Sequence, residues 1–298
     1  ILFPLIISAQ DSINPVKLLE KLSYKVSDSS RLSVNFQLGN YYLNSDSDST
    51  YFYYNRALEL AAKIKDSVNQ SYILHNLGSK YDIDSNHKMA LEVFYKAKNR
   101  YALNNDSLGV AQVENNIGYS YMQLFEEDKP IEHYLNSIAL YNQMNNEDGI
   151  ATNLTDIACL YYDFENYDLA IDKFKEALKI YQKFNDSLGV SGTYTNIGNA
   201  VSDKGDCKNG LNYFRKSIEI QQKLGDTLGL AINHNNIGDC YIQMKEYSKA
   251  VEYFNKSIKF NKYVGDKDLE AIIHLNIADA ELNLKNYKAA IIESKKSL

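Results

Sequence analysis

The chain has 298 residues, 45% of them hydrophobic and 23% charged, a composition that excludes disorder and low complexity. Its 32 Lys and Arg against 38 Asp and Glu leave a net charge of −6, which lacks the basic footprint of a nucleic-acid binder. Only 3 prolines in so long a chain suit an all-helical body, and the 3 cysteines (Cys159, Cys207 and Cys240), odd in number and without C-x-x-C spacing, argue against a zinc site and a disulfide framework.

Residues 1–10, Ile1-Leu2-Phe3-Pro4-Leu5-Ile6-Ile7-Ser8-Ala9-Gln10, form an apolar run that ends in small and polar residues before Asp11-Ser12. This pattern is expected of a signal-peptide remnant, with a frayed apolar N-terminus as the alternative. No later stretch approaches the roughly 20 apolar residues of a membrane span, so a membrane would be reached only through segments outside this fragment. Residues 11–27 are expected to hold an N-terminal helix. Pro15 suits its first turn, and Val16, Leu18, Leu19, Leu22 and Val26 supply an apolar stripe.

From residue 28 to 298 the chain repeats. A small residue recurs at Gly39, Gly78, Gly118, Ala158, Gly198, Gly238 and Ala278, one step of 39 residues followed by five of 40. A fixed period in this range means stacked units, each packing on its neighbours. The chain stops at Leu298, twenty residues past Ala278, where a whole unit would continue. About seven repeats are therefore expected, the last incomplete, and truncation is expected at both ends.

Each unit reads as two helices. In the third, Asn105-Asp106-Ser107 separates two apolar-periodic stretches. Asn105 can adopt the left-handed conformation that ends a helix, and Asp106 or Ser107 can cap the next. Helix A then runs to about Leu124, a polar turn follows at Glu126-Glu127-Asp128, and helix B carries Pro130 in its first turn. Asp66, Asp186, Asp226 and Asp266 repeat the cap, with Gly225 and Gly265 standing where Asn105 and Asn185 stand.

Helix B has its own registers. Twelve residues after the small residue come Ala90, Pro130, Ala170, Gly210, Ala250 and Ala290. Sixteen after come Phe94, Tyr134, Phe174, Phe214 and Phe254, and nineteen after come Ala97, Ser137, Ala177, Ser217, Ser257 and Ser297. These offsets line one helical face. The small residues are expected to let helix B approach helix A, and the aromatic ring to fill the gap between adjacent repeats. Phe174→Ala or Phe214→Ala should cost about 3–5 kcal/mol by leaving a cavity, measurable by denaturation.

In helix A, Tyr81, Tyr121, Tyr161 and Tyr241 stand three residues after the small residue. Small-x-x-Tyr followed by Ala-x-x-x-Phe-x-x-Ala/Ser resembles the tetratricopeptide repeat, here with a 40-residue period in place of the usual one of about 34. The resemblance implies a right-handed all-α solenoid whose A helices line a concave face. It also points to the long-repeat members found in Pins-type scaffolds, kinesin light chains and bacterial signalling proteins. Repeat 1 departs by one residue in its hairpin and by Tyr54 at the Phe position, and repeat 5 has Val201 for Tyr.

Two registers of helix A suggest a ligand site. Two residues before the small residue stand Asn76, Asn116, Asp156, Asn196, Asn236 and Asn276, with Gln37 in repeat 1. One residue after it stand Asn40, Ser79, Tyr119, Cys159, Asn199, Asp239 and Asp279. The offset of three places both on one face, and helix propensity does not explain so regular a run of Asn. A ladder of amides can donate to and accept from an extended peptide backbone. In related scaffolds Asn at this register clamps the peptide main chain. The alternative is that these amides bond neighbouring helices and stiffen the stack.

Asp156, Asp239 and Asp279 occur in these registers and no Lys or Arg does. A neutral or basic protein or peptide segment is thus the expected partner, with no nucleic acid and no evident small-molecule substrate. There is no phosphate loop, no H-E-x-x-H and no nucleophile elbow, so no catalytic residue, cofactor or metal is expected. His75, His87, His133, His234 and His274 read as helix-packing residues. The expected function is a non-catalytic binding module at the front of a bacterial signalling protein, exported to the periplasm, with the output domain past residue 298 as the resemblance implies. A cytoplasmic scaffold or peptide-responsive regulator is the alternative.

Overall fold

A computed structural model describes residues 14–24, 26–126 and 128–297; the proposed signal-peptide remnant at 1–10 lies outside them. Among the described residues the structure is all helical, with fifteen helices in chain order. They are α1 (Pro15–Ser23), α2 (Asp28–Tyr42), α3 (Ser47–Lys63), α4 (Ser67–Ile83), α5 (His87–Leu103), α6 (Ser107–Gln123), α7 (Lys129–Gln143) and α8 (Glu147–Asp163). Then follow α9 (Tyr167–Lys183), α10 (Ser187–Asp203), α11 (Cys207–Leu224), α12 (Thr227–Gln243), α13 (Tyr247–Val264), α14 (Lys267–Asn283) and α15 (Tyr287–Lys296). Even-numbered helices are the A helices of the repeats, and odd-numbered helices from α3 onward are the B helices. The helices form two compact units, one ending at Asn146 and the other beginning at Glu147.

Sequence chemistry sets the helix ends. The α6 helix starts because Asp106 Oδ1 accepts a hydrogen bond from Gly109 N at 2.8 Å, satisfying one of the orphan donors of the first turn. The same cap recurs at Asp66, Asp186, Asp226 and Asp266. Asn105 is left-handed at φ 55°. Asp106 N donates to Tyr101 O at 2.9 Å and Asn105 N donates to Ala102 O at 3.0 Å, closing a Schellman turn in which Asp106 both ends one helix and caps the next. Asn185, Gly225 and Gly265 are left-handed in the same way.

The turns inside the repeats use the same device with residues that do not advertise it. Ser85, Phe125, Glu165, Lys245 and Lys285 are all left-handed, at φ between 57° and 63°. Glu126 N donates to Tyr121 O, so the turn expected at 126–128 begins two residues earlier, at Leu124-Phe125.

Glycine in helix A admits the aromatic ring of helix B. A Cβ at Gly39, Gly78, Gly118 or Gly198 would lie 2.4–2.8 Å from ring atoms of Tyr54, Phe94, Tyr134 or Phe214. That contact is within one hairpin. The expectation that this ring chiefly fills the space between repeats is therefore corrected: between repeats, Tyr101 packs over Gly109 and Tyr181 over Gly189, where a methyl group would collide with the ring. The Ser register ties the hairpin together, because Ser217 Oγ donates to Ser191 O at 2.8 Å and Ser257 Oγ to Ala231 O at 2.6 Å. In the first unit one core runs from Leu32 through Phe94 to Ile117, and in the second Phe214 and Phe254 centre another.

Candidate ligand-binding site on the A-helix face

The two amide registers do not form a uniform ladder. In the first unit, Asn76 Nδ2 donates to Tyr72 O of its own helix at 2.8 Å. Asn116 is 3% exposed and its Nδ2 lies 2.8 Å from His75 Nε2 in the preceding repeat. Burial drives the His75 pKa down to about 4, so the ring is neutral. Nε2 then accepts from Asn116, and the proton sits on Nδ1, which lies 3.3 Å from Tyr101 OH. Tyr119 is 36% exposed on the same helix.

In the second unit Asp156 and Asn196 are half-buried, and the Asn196 side chain has no hydrogen-bond partner among the described residues. Asn236 Nδ2 donates to Asn199 Oδ1 at 2.9 Å, joining α12 to α10. Asn276 Nδ2 reaches both Asn235 Oδ1 and Asp239 Oδ1 at 3.1 Å, joining α14 to α12. Asp279 is exposed and lies 3.5 Å from Asn283 Nδ2. Asn116, Asn236 and Asn276 thus bond the preceding repeat, while Asn196 keeps its amide uncommitted.

Three of the sequence-predicted residues, Asn199, Asn236 and Asp239, line one cavity of about 190 Å³ in the second unit. The rest of its wall is Tyr162 from α8, Ser202 and Asp203 from α10, Phe214 from α11, and Cys240 and Gln243 from α12. Three consecutive A helices therefore build it. Tyr162 OH donates to Asp203 Oδ2, which fixes that carboxylate at the wall. Asn235 Nδ2 donates to Asp239 Oδ2 at 3.0 Å. Burial, reinforced by the charge of Asp203, pushes the Asp239 carboxyl up to about 7 despite the bond from Asn235.

Sequence reasoning missed Asp203, Tyr162 and Gln243. Asp203 and Gln243 stand four residues after Asn199 and Asp239, hence on the same face of their helices. Extending the two registers by one turn would have found them. The sequence also showed no group of perturbed acids, whereas Asp239 is one. The cavity nonetheless lacks an activated nucleophile: burial raises the Cys240 thiol to about 12. The chemistry available here is hydrogen bonding and charge recognition.

A tetratricopeptide-repeat family model matches residues 109–183 and 190–262. Among solved structures, aspartyl phosphate phosphatase F from Bacillus subtilis has a TM-score of 0.73 at 17% identity, over 96% of this chain and 75% of that one. A Rap protein complexed with competence and sporulation factor gives 0.67 at 13% identity, over 95% and 90%. A signal-transduction ATPase with a tetratricopeptide-repeat sensor from Pyrococcus horikoshii gives 0.64 at 16% identity, over 94% of this chain and 47% of that one. These likenesses are of fold. Comparison with curated proteins gives no significant match. The family match, the stacked helix pairs and the shared fold together show that the chain belongs to the tetratricopeptide-repeat proteins.

Proposed function

We propose that the chain is a non-catalytic module that binds a protein or an extended peptide on its A-helix face, as the sensory or scaffolding part of a bacterial signal-transduction protein. The bound segment is neutral or basic. The observation that carries this reading is the second unit's A-helix face. There the uncommitted amide of Asn196 stands one turn from Asn199, which with Asn236 and Asp239 edges an open polar cavity. An amide with free donors and acceptor suits a peptide main chain. The naming of a peptide factor in one neighbour and of a repeat sensor in another supports the same class of partner.

The test is the Asn196→Ala, Asn236→Ala double variant against peptides selected from a random displayed library on the parent chain. Circular dichroism should be unchanged and calorimetric affinity lost. Unchanged affinity would sink the reading. The composition of residues 1–10 supports export, and N-terminal sequencing of the mature protein should begin near Asp11; an intact residue 1–10 segment would favour the cytoplasmic alternative.

A further inference from the structure

We propose that the cavity between α8, α10 and α12 receives one organic cation, an alkylammonium or guanidinium group, supplied by a free amine or by a side chain of a bound peptide. The inference deepens the peptide-binding reading and rests on the A-helix face being the binding face.

Two carboxylates, Asp203 and Asp239, face one void with no Lys, Arg or His in its wall. Their acceptors are not used up. Asp203 Oδ2 takes the Tyr162 hydroxyl, but no donor among the described residues reaches Asp203 Oδ1 or Asn236 Oδ1. Each oxygen of Asp239 takes an amide, and an ionised carboxylate has capacity for about four donors. What is missing is a positively charged group with several N–H donors, which describes an ammonium or a guanidinium.

Size and shape agree. The void of about 190 Å³ is much larger than one water needs, and Phe214 offers an aromatic wall against which the alkyl stem or the cation itself can lie. A bare metal ion is disfavoured, since no group of three or more His, Cys, Asp or Glu among the described residues could hold one. An anion would meet two carboxylates.

The rest of the molecule shows what this chain does when it means to neutralise an acid internally. Asp84 has Lys80 Nζ at 2.8 Å, and Glu114 has both Lys98 and His133. Asp203 and Asp239 have amides and a phenol instead. Burial and mutual repulsion therefore make Asp239 hold a proton near neutrality, the position an external cation would take over.

The test is an NMR titration of the full chain, following the side-chain amides of Asn199 and Asn236, with N-acetyl-arginine methylamide, agmatine and N-acetyl-citrulline methylamide. The two cations should give saturable shifts, and the neutral citrulline isostere none. The Asp203→Asn, Asp239→Asn double variant should weaken cation binding by at least about tenfold, as expected when a bound cation loses both of its countercharges. The peptide Gly-Gly-Arg-Gly-Gly binding more tightly than agmatine marks a peptide side chain as the source, and the reverse marks a free amine. Equal binding of citrulline, equal binding by the double variant, or no saturable shift with either cation overturns the proposal. If displayed peptides without Lys or Arg bind through Asn196 while free cations do not, the cavity inference falls and the peptide reading stands. If the cations bind and no displayed peptide does, the cavity inference stands and the peptide reading falls.

Discussion

Two acidic sites on the A helices of this molecule reach opposite electrostatic ends. In the first unit Glu114, 3% exposed, sits with one oxygen 2.5 Å from Lys98 Nζ and the other 2.6 Å from His133 Nδ1. Burial alone would raise its pKa, but the bonds and charges of His133 and Lys98 outweigh it and hold the carboxyl below its usual value. Tyr95 and Tyr121 close the site, with the His133 ring stacked 5.4 Å from Tyr121. In the second unit Asp203 and Asp239 face a void, and Asp239 is held well above its usual value. The first arrangement is finished by the chain itself. The second has no cationic partner among the described residues, and that is the place the proposed cation would take.

The comparison breaks most sharply at Lys98. Lys98→Met leaves Glu114 buried with only His133 to answer its charge. A fully buried pair broken in this way loses about 3–5 kcal/mol; partial exposure of Lys98 and the remaining histidine reduce the expected loss to about 2–3 kcal/mol. A denaturant midpoint as high as that of the parent would show that the pair is not structural.

The opposite sign is expected at Asp239. Its folded pKa, about 7, lies above the ordinary 3.8, so the folded chain keeps a proton that the unfolded chain releases. Stability therefore falls as pH rises from about 4 to about 7, and the penalty is fully present above that. Asp239→Asn should raise stability at pH 8 by about 1–3 kcal/mol and change it little at pH 4. Parallel pH–stability curves for the two proteins would remove the basis for calling the second site uncompensated.

A smaller effect separates members of one register. Asn116→Ala strips the buried His75 Nε2 of its donor and should cost about 1–2 kcal/mol. Asn196→Ala removes no intrachain bond and should stay within about 0.5 kcal/mol. Equal losses by thermal melting would mean that the two amides do the same work.

The Asn–Asp register was visible in the sequence as a stripe, but its division of labour was not. Asn116 and Asn196 are the same residue type at the same place in the repeat. What differs is the neighbour: His75 lies one repeat before Asn116, at the position that Thr155 holds before Asn196. An amide's partner depends on side chains about forty residues away, so no local pattern reports it. The same holds for a pair whose members are exchanged between repeats. Glu114 and His133 hold two places in the third repeat that His274 and Glu293, 2.7 Å apart, hold in the seventh with the roles exchanged.

By itself the sequence determined the repeat, its period, the helix pairs and the Asp caps. Each follows from spacing along one helix or from the conformational range of a single residue, which are local properties. Tertiary structure alone decided which glycine each helix-B ring would sit on, which amides would be spent on the preceding repeat, and where a space would remain. Those outcomes depend on side chains meeting across three helices, and a void belongs to no residue in particular.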